Sequence, residues 1–422
     1  MKSESKFWKL VFGSGGVTAC NMLRTFVVNK LLAIFLAPSF FACVGQLQNF
    51  MAAGHAMSSL AMQNGWVSLT AQNLGDKKKL AGIWRGGFKL TVFASIITFA
   101  LAVIFCFVAP LDVLVPGIHP RRVQTAILFA LPGILAMNAI TITSSVMNGL
   151  GEYRRWAVIG IASSLLQCGW VAVFLYTGQL FVLSVIATQS IAAGIFALIV
   201  ARGAGFRFSV IRSTALDIRS PWIAFAVMGI VPMLLSPVVL TAIRSFIGSE
   251  FGWNAAGIWQ GVWKISDFFA SGFSAILGVI LLPKISDRLT KKEFWSMFSP
   301  VLCKMFALVL VVTVGVYFFR RPVVSLMLSE SYAAVADYMP LQLVGDFFRT
   351  GGWALGLVLI ARRETLKFVI AEVAGNAYLL VGTIVFSKTF EFNGPMIAYA
   401  SENILYFVIL FIVVRSFKWN TR

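Results

Sequence analysis

The sequence predicts an all-α membrane protein with about twelve transmembrane helices. Of its 422 residues, 59% are hydrophobic and only 12% are charged, whereas ordinary soluble domains are about 25% charged. The apolar residues form runs of the roughly 20 residues that a membrane span requires. Short clusters of charged residues, glycine and proline separate these runs. A large soluble core is the alternative, and it does not require so many apolar runs of this length.

The N-terminal half supplies six predicted spans, each ended by a polar or helix-breaking stretch. The breaks include "LGDKKKLAGIWR", "LDVLVPGIHPRR" and "GEYRR". The first span is too long for a cleaved signal peptide and lacks a small-residue cleavage site, so we expect it to stay in the protein. The predicted spans are 9–36, 40–70, 86–110, 123–149, 155–177 and 179–201.

The C-terminal half also contains six predicted spans. Its breaks include "SEFG", "PKISDRLTKK", "ARRE" and "KTFEFNG". The seventh span contains Pro232 and Pro237, and each proline removes a backbone donor and disturbs the preceding turn. The sequence is compatible with either a bending gate or a static kink at this place. The predicted spans are 221–247, 253–282, 297–319, 337–361, 366–387 and 394–415.

The basic loop 201–220 divides the chain into two predicted lobes of six helices each, residues 1–205 and 206–422. Because six is even, both lobes enter the membrane from the same side, as parallel repeats do.

The formal net charge of +19 is explained by membrane topology. If the N-terminus is cytoplasmic, most Lys and Arg residues fall in cytoplasmic loops, as the positive-inside rule requires. The predicted outer loops carry only Arg121, Arg122, Arg320, Arg321 and Lys388. We therefore expect both termini inside, and a basic surface that attracts anionic headgroups. Nucleic acid is not needed as a partner.

Polar residues recur at helical spacing inside several spans. In "GIWQGVWKISDFF" (257–269), the residues Gln260, Trp263, Lys264 and Asp267 share one helix face. An ionised side chain at the bilayer centre costs at least about 2.5–3.5 kcal/mol. Stripes of this kind on at least five helices predict a shared aqueous cavity. Each residue taken alone is also compatible with pairing across helices as a packing device.

The cavity is predicted to be cationic. The candidate substrate-binding residues are Arg24, Lys30, Arg244, Lys264 and Arg349. If Lys264 pairs with Asp267 and Arg349 with Asp346, the other three cations have no partner. The arginine fork suits phosphate oxygens, which predicts a bulky anionic substrate bearing sugar or phosphate. Snorkelling to the membrane surface is the alternative for Lys30 and Arg244.

Two further sets complete the candidate site. The candidate sugar contacts are Gln260, Trp263, Asn138, Asn403 and Tyr399. The candidate ion-coupling residues are Asp267, Asp346, Glu372, Glu402 and His55. For His55, a helix-packing role is the stronger alternative.

The sequence offers no apparatus for catalysis. The five cysteines lie in apolar spans without metal-ligand spacing, and the two histidines are far apart. No nucleotide-binding glycine loop occurs. We therefore expect a transporter and not an enzyme, without catalytic residues, metal or cofactor. A membrane glycosyltransferase or polymerase, the alternative, would need a large acidic loop.

Four segments resemble one family. They are "NKLLAIFLAP" (29–38), "GIWQGVWKISDFF", "LLPKISDRL" (281–289) and "LQLVGDFFRTGGWALGLVLIARRETLKFVIAEV" (341–373). They resemble the Wzx-type flippases of the multidrug/oligosaccharidyl-lipid/polysaccharide exporter superfamily. The block 341–373 is most similar to the lipid III branch, although the O-antigen and common-antigen branches share these blocks. The resemblance implies a two-lobed alternating-access carrier similar to the multidrug (MATE) exporters. Lys30, Arg244, Asp267, Asp346 and Glu372 match positions where this family usually carries the same residue or charge.

The resemblance also implies a function. Family members move undecaprenyl-pyrophosphate-linked oligosaccharides of O-antigen or enterobacterial common antigen from the cytoplasmic to the periplasmic leaflet of the bacterial inner membrane. It implies membrane lipids, a polysaccharide polymerase and a chain-length regulator as partners. A drug exporter, or an exporter of another polyprenyl lipid, remains the alternative within the superfamily.

Overall fold

The computed structural model describes residues 2–115, 118–176, 182–203, 221–281, 285, 290–362 and 364–417. Within these ranges the chain consists of α-helices joined by short turns, with 3-10 helices at Glu330–Tyr332 and Glu391–Asn393. The N-terminal helices are α1 (Lys2–Phe35), α2 (Pro38–Ser59), α3 (Gln63–Gln72), α4 (Lys77–Val108), α5 (Leu111–Leu114), α6 (Pro120–Gly149), α7 (Tyr153–Tyr176), α8 (Val182–Thr188) and α9 (Ile191–Gly203). The remaining helices are α10 (Pro221–Phe251), α11 (Trp253–Ile280), α12 (Lys291–Phe318), α13 (Arg320–Met327), α14 (Val335–Ala361), α15 (Thr365–Phe390) and α16 (Gly394–Arg415).

Within the described residues, each predicted span coincides with a helix or with two consecutive short helices, so the predicted all-α membrane fold is confirmed. Residues 177, 179–181 and 282 of the predicted spans, most of the loop 201–220 and most of the motif 281–289 lie outside the described residues. By length and composition, 9 segments of the described chain are able to cross a membrane, and one of them, Thr365–Arg415, contains both α15 and α16. The predicted span 40–70 is divided into α2 and α3. Leu60 and Ala61 cause this break, because both adopt positive φ angles, 50° and 51°, that a helix of L-residues cannot continue.

Contacts divide the chain into two compact units. The first contains residues 1–28 and 43–238, and the second contains residues 29–42 and 239–422. The lobes predicted from sequence, 1–205 and 206–422, remain a prediction. The contact-based division differs from them mainly at residues 29–42 and 221–238. The α-helix α10 continues through Pro232 and Pro237, and the division falls just after the second proline.

The first unit has an apolar core built around two tryptophans. The rings of Trp66 and Trp222 have centroids 4.6 Å apart, and both side chains are almost fully buried. The indole nitrogen of Trp222 donates to the carbonyl of Ile83 over 3.1 Å, so burial leaves no unsatisfied polar group there.

The second unit has its own core between α12, α14 and α16. Phe294 and Phe298 stack with centroids 4.9 Å apart against buried Leu355, Leu359 and Leu410. The capping box of Thr290 and Glu293 begins α12, because each side chain satisfies a backbone N–H that the first turn leaves unpaired. This core packs α14 and α16 together, and these helices carry Asp346, Arg349 and Tyr399 of the candidate site.

Candidate substrate site

Arg349 on α14 is the centre of a charged cluster in the second unit. Its Nη2 donates to Asp267 Oδ1 on α11 over 3.0 Å, and its Nη1 donates to the Tyr399 hydroxyl on α16 over 3.2 Å. The Asp346 carboxylate is 4.0 Å from Nη1. We call Asp267, Asp346, Arg349 and Tyr399 the Arg349 cluster. Three helices thus converge on one guanidinium.

Aromatic rings cover the Arg349 guanidinium. Its central carbon is 4.5 Å from the ring centroid of Trp353 and 5.9 Å from that of Trp263, within the range of cation–π attraction. Trp263 meets Tyr399 edge to face at 5.4 Å. The cluster therefore offers flat apolar faces beside charged groups.

The cluster is open to its surroundings. The Asp267 side chain is 40% exposed although it lies in the middle of the apolar helix α11, and the Arg349 side chain is 17% exposed. A carboxylate at this depth does not face lipid hydrocarbon, because the cost of the charge is too high. We therefore expect this part of α11 to border water, and the aqueous cavity stays a prediction.

Asp346 is held by neutral donors. The hydroxyl of Tyr399 donates to its Oδ1 over 2.7 Å and that of Ser266 over 2.5 Å, and the Gln342 amide donates to Ser266 over 3.2 Å. Its other oxygen, Oδ2, is buried without a partner. A cavity of about 10 Å³ next to Asp346 and Thr350 has room for roughly one water molecule.

Asp267 forms an ion pair with a residue of another helix, whereas the sequence predicts a partner on its own helix. The spacing predicts Lys264, on the same face of α11, as its partner. The structure places Arg349 of α14 at 3.0 Å from Asp267, and Lys264 is half-buried. The pair therefore connects two helices, which spacing within one helix does not indicate.

Arg244 is almost fully buried, with 1% of its surface exposed. Its Nε and Nη2 both donate to Gln260 Oε1, over 3.1 and 2.5 Å. The guanidinium also lies 5.5 Å from the centroid of Trp259. Arg244 thus joins α10 to α11, about one helical turn from Trp263.

Lys30 binds the end of a helix. Its ammonium donates to the carbonyls of Ser325 and Leu328, each over 2.6 Å. Ser325 lies in the last turn of α13 and Leu328 directly follows the helix, where backbone carbonyls have no partner inside the helix. A cation at a helix C-terminus is also favoured by the helix dipole.

Near Lys30, two hydroxyl groups also donate to backbone carbonyls at the end of α1. Ser329 donates to the carbonyl of Ala33 over 2.7 Å, and Tyr332 donates to that of Leu36 over 3.0 Å. Burial raises the pKa of the Tyr332 phenol, so its hydroxyl keeps the proton that it donates. Together with Lys30, these bonds attach residues 29–42 to the second unit.

Arg24 belongs to the first unit. Its Nη1 donates to Gln167 Oε1 on α7 over 3.0 Å, while its Nε is buried without a partner. Next to it, Ser164 donates to Asn21 over 2.9 Å. Arg24 thus joins α1 to α7.

The expectation that Arg24, Lys30 and Arg244 lack partners is wrong. All three are hydrogen-bonded to amide or backbone oxygens. The expectation considered only carboxylates as partners for these cations. Amide and backbone oxygens also accept hydrogen bonds from Lys and Arg, and a search for opposite charges in the sequence does not find them.

His55 and Asn138 form a neutral network in the first unit. His55 Nδ1 is 2.8 Å from Asn138 Oδ1, and His55 Nε2 is 3.3 Å from the Thr141 hydroxyl. The Asn138 amide donates to Ser58 over 2.9 Å. A neutral imidazole protonated on Nδ1 satisfies both of its contacts. We call His55, Ser58, Asn138 and Thr141 the His55 network.

The remaining candidates lie on α15 and α16. Tyr406 donates to Glu372 Oε1 over 2.6 Å. The Glu402 carboxylate lies against the backbone of Gly375, where a Cβ would come within 2.7 Å of its Oε1. Asn403 is buried and donates to the carbonyl of Tyr399 in its own helix over 2.9 Å. Both carboxylates thus stand at the α15–α16 contact.

Sequence reasoning missed Gln167 and Ser266. The stripe Ser163, Ser164 and Gln167 on α7 is the signal that could have indicated the first. Ser266 lies beside the polar face of α11 and gave no periodic signal. Within the ranges that the structure describes, no group of three His, Cys, Asp or Glu side chains is placed to hold a metal ion.

Comparisons with known proteins identify the fold. No family model matches the chain. An inward-facing multidrug resistance MATE family transporter of the MOP superfamily superposes with a TM-score of 0.73 at 14% identity, over 93% of this chain and 94% of that one. The lipid II flippase MurJ, in an inward closed conformation, gives 0.71 at 15% identity, over 97% and 88%. The chain therefore has the fold of these two transporters.

Two curated proteins are similar in sequence. Both are named lipid III flippase, one from Escherichia coli (strain K12) and one from Shigella flexneri. Each is 28% identical over 183 residues, which is 43% of this chain and 44% of the relative. The match thus spans less than half the length of these relatives. It supports the resemblance to Wzx-type flippases that the sequence motifs indicate.

Proposed function

We propose that this chain is a flippase for a lipid-linked oligosaccharide. Its substrate would be an oligosaccharide joined through pyrophosphate to undecaprenol, moved from the cytoplasmic to the periplasmic leaflet by alternating access. The similarity to proteins named lipid III flippase supports the substrate class. The chain would act in a bacterial inner membrane with both termini in the cytoplasm.

The observation that carries this proposal is the composition of the Arg349 cluster. The Arg349 guanidinium lies against the rings of Trp263 and Trp353, so the cluster can bind both the phosphate and the sugar of the headgroup. Arginine binds phosphate oxygens through two parallel hydrogen bonds, and indole faces offer apolar contact to sugar rings. Asp267, exposed at mid-helix, marks where water and headgroup would enter.

The other candidates take different roles in the proposal. Arg349 and Lys264 would contact phosphate, and Trp263 would contact sugars. Gln260 and Tyr399 are buried and bonded to Arg244 and Asp346, so they would position these helices. Lys30, Arg24 and Arg244 would position helices, because their donors are engaged by amide or backbone oxygens. Asn138, His55 and Asn403 would stabilise their own helices and neighbours.

Release of Arg349 would connect substrate binding to ion movement. Asp267 occupies the guanidinium in the described state, so an incoming phosphate competes with it. Neutralising Asp267 or Asp346 by a proton or cation would free Arg349, and Glu372 and Glu402 would be further coupling carboxylates. The membrane potential would favour outward movement of an anion by about 2.3 kcal/mol per charge per 100 mV.

Reconstitution of the full chain tests this proposal. Proteoliposomes would contain a fluorescent undecaprenyl-pyrophosphate oligosaccharide, and a membrane-impermeant glycosidase would report its arrival at the outer leaflet. We expect transfer with the unchanged chain, loss with Arg349→Gln, and normal transfer with Arg415→Gln, a matched change at the exposed end of α16. Transfer that is equal with Arg349→Gln would refute the role of the cluster.

The drug exporter is the second candidate, favoured by the likeness to a multidrug transporter. Deletion of the gene followed by lipid analysis separates the two. A flippase predicts accumulation of undecaprenyl-pyrophosphate oligosaccharide in the deletion strain. Unchanged lipid together with increased sensitivity to cationic drugs would identify the exporter.

A further inference from the structure

An apolar groove lies between α12 and α14, and Arg349 is not among the residues that line it. It has a volume of about 590 Å³, within the ~300–1,000 Å³ typical of small-molecule sites. One face of α12, from Leu310 to Phe318, forms one wall, and one face of α14, from Pro340 to Phe348, forms the other. Val314 and Val344 in the walls are 43% and 44% exposed, so the groove opens towards lipid.

The length of the groove corresponds to one leaflet. Residues 310 to 318 span about 12 Å at ~1.5 Å per residue, close to half of a ~30 Å hydrocarbon core. Its walls end at Tyr317 and Phe318, where the chain leaves α12. Aromatic side chains at such a position are typical of the membrane interface. A single acyl chain fits this length, whereas an undecaprenyl chain is several times longer.

Two arginines follow the interfacial end of the groove. Arg320 donates from Nη1 to the carbonyl of Tyr317 over 2.8 Å, and its guanidinium lies 4.9 Å from the ring centroid of Tyr317, a residue that lines the groove. Arg320 Nε is buried without a partner, and Arg321 is exposed. The ion pairs in the described part of the chain include neither arginine.

We propose that this groove binds an anionic diacyl phospholipid of the bilayer. One acyl chain lies between α12 and α14, and the phosphate contacts Arg320 and Arg321. Charge complementarity selects the anionic headgroup, because the cationic end of the groove has no acidic partner among the described residues. None of the four residues of the Arg349 cluster lines the groove, so this proposal does not depend on the proposed function.

Native mass spectrometry of the delipidated full chain tests the proposal. The protein in neutral detergent is titrated with phosphatidylglycerol or with phosphatidylcholine of the same acyl chains. We expect tighter binding of phosphatidylglycerol to the unchanged chain. Arg320→Gln and Arg321→Gln should each weaken it roughly five-fold, which corresponds to about 1 kcal/mol per basic residue. Lys388→Gln, which removes a lysine from the last turn of α15, should not.

The groove itself is tested by filling it. Val314→Trp should weaken binding of phosphatidylglycerol at least about five-fold, whereas Val311→Trp, at a 71% exposed position outside the groove, should leave it unchanged. The conservative Arg321→Lys should retain most of the binding. Equal affinity for the two lipids, or equal effects of Val314→Trp and Val311→Trp, would overturn the proposal. Displacement of phosphatidylglycerol by undecaprenyl phosphate at equal concentration would also overturn the choice of occupant.

Discussion

The Arg349 cluster and the His55 network both place polar side chains inside apolar helices, but they differ in charge and exposure. The His55 network is neutral and closed, since His55, Ser58 and Asn138 are buried and bonded to one another. The Arg349 cluster is charged, partly exposed and lined by tryptophan. A closed neutral network stabilises a bundle, whereas an open charged one retains capacity for a ligand.

The largest expected effect comes from Arg349→Gln. The change removes charge-assisted bonds worth about 1.5–3 kcal/mol, or roughly 10- to 150-fold, so flipping in proteoliposomes should fall by at least about ten-fold. Arg349→Gln should also lower the midpoint of thermal unfolding, because it leaves the Asp267 carboxylate without its partner. The double variant Asp267→Asn/Arg349→Gln removes both charges, so its midpoint should return towards that of the unchanged chain while flipping stays low. If the double variant also flips normally, the cluster is a packing device like the His55 network.

Asn138→Leu should affect stability and not transport. It leaves His55 and Ser58 without their buried partner, at a cost of about 1–3 kcal/mol. Thermal unfolding of the purified full chain should occur at a lower temperature, while flipping per folded molecule stays unchanged. A drop in flipping with an unchanged unfolding midpoint would instead assign Asn138 to the substrate.

Lys30→Met distinguishes a positioning role from substrate binding. The variant loses two bonds to helix-end carbonyls, and we expect a loss of up to about 2 kcal/mol in stability. The substrate concentration for half-maximal flipping should stay unchanged. A several-fold increase in that concentration with normal thermal stability would place Lys30 in the headgroup site.

The smallest effect is expected for two serines. Ser266→Ala removes a donor to the buried Asp346 carboxylate and should cost about 0.5–1.5 kcal/mol, seen as a lower unfolding midpoint. Ser59→Ala is the matched control, because the Ser59 hydroxyl makes only local hydrogen bonds. It donates to the carbonyl of His55 and accepts from the backbone N–H of Ala61. Equal shifts for both variants would mean that Ser266 adds nothing specific to the cluster.

Much of the candidate site follows from helical periodicity. Gln260, Trp263 and Asp267 share a face because residues three to four apart meet on one side of a helix, and the structure brings this face to the Arg349 cluster. Periodicity does not reach across helices. For this reason the Asp267–Arg349 pair, the contact of Arg244 with Gln260 and the helix-end role of Lys30 were not predicted.

The sequence by itself determined that the chain is a bundle of membrane helices, and approximately where each helix lies. Hydropathy and charge placement suffice for this, because hydrocarbon excludes unpaired backbone groups and charges. Only the tertiary structure decided which charges are partnered. A buried cation is satisfied by any oxygen that the fold brings within about 3 Å, and most of those found here are amide, hydroxyl or backbone oxygens that carry no charge in the sequence.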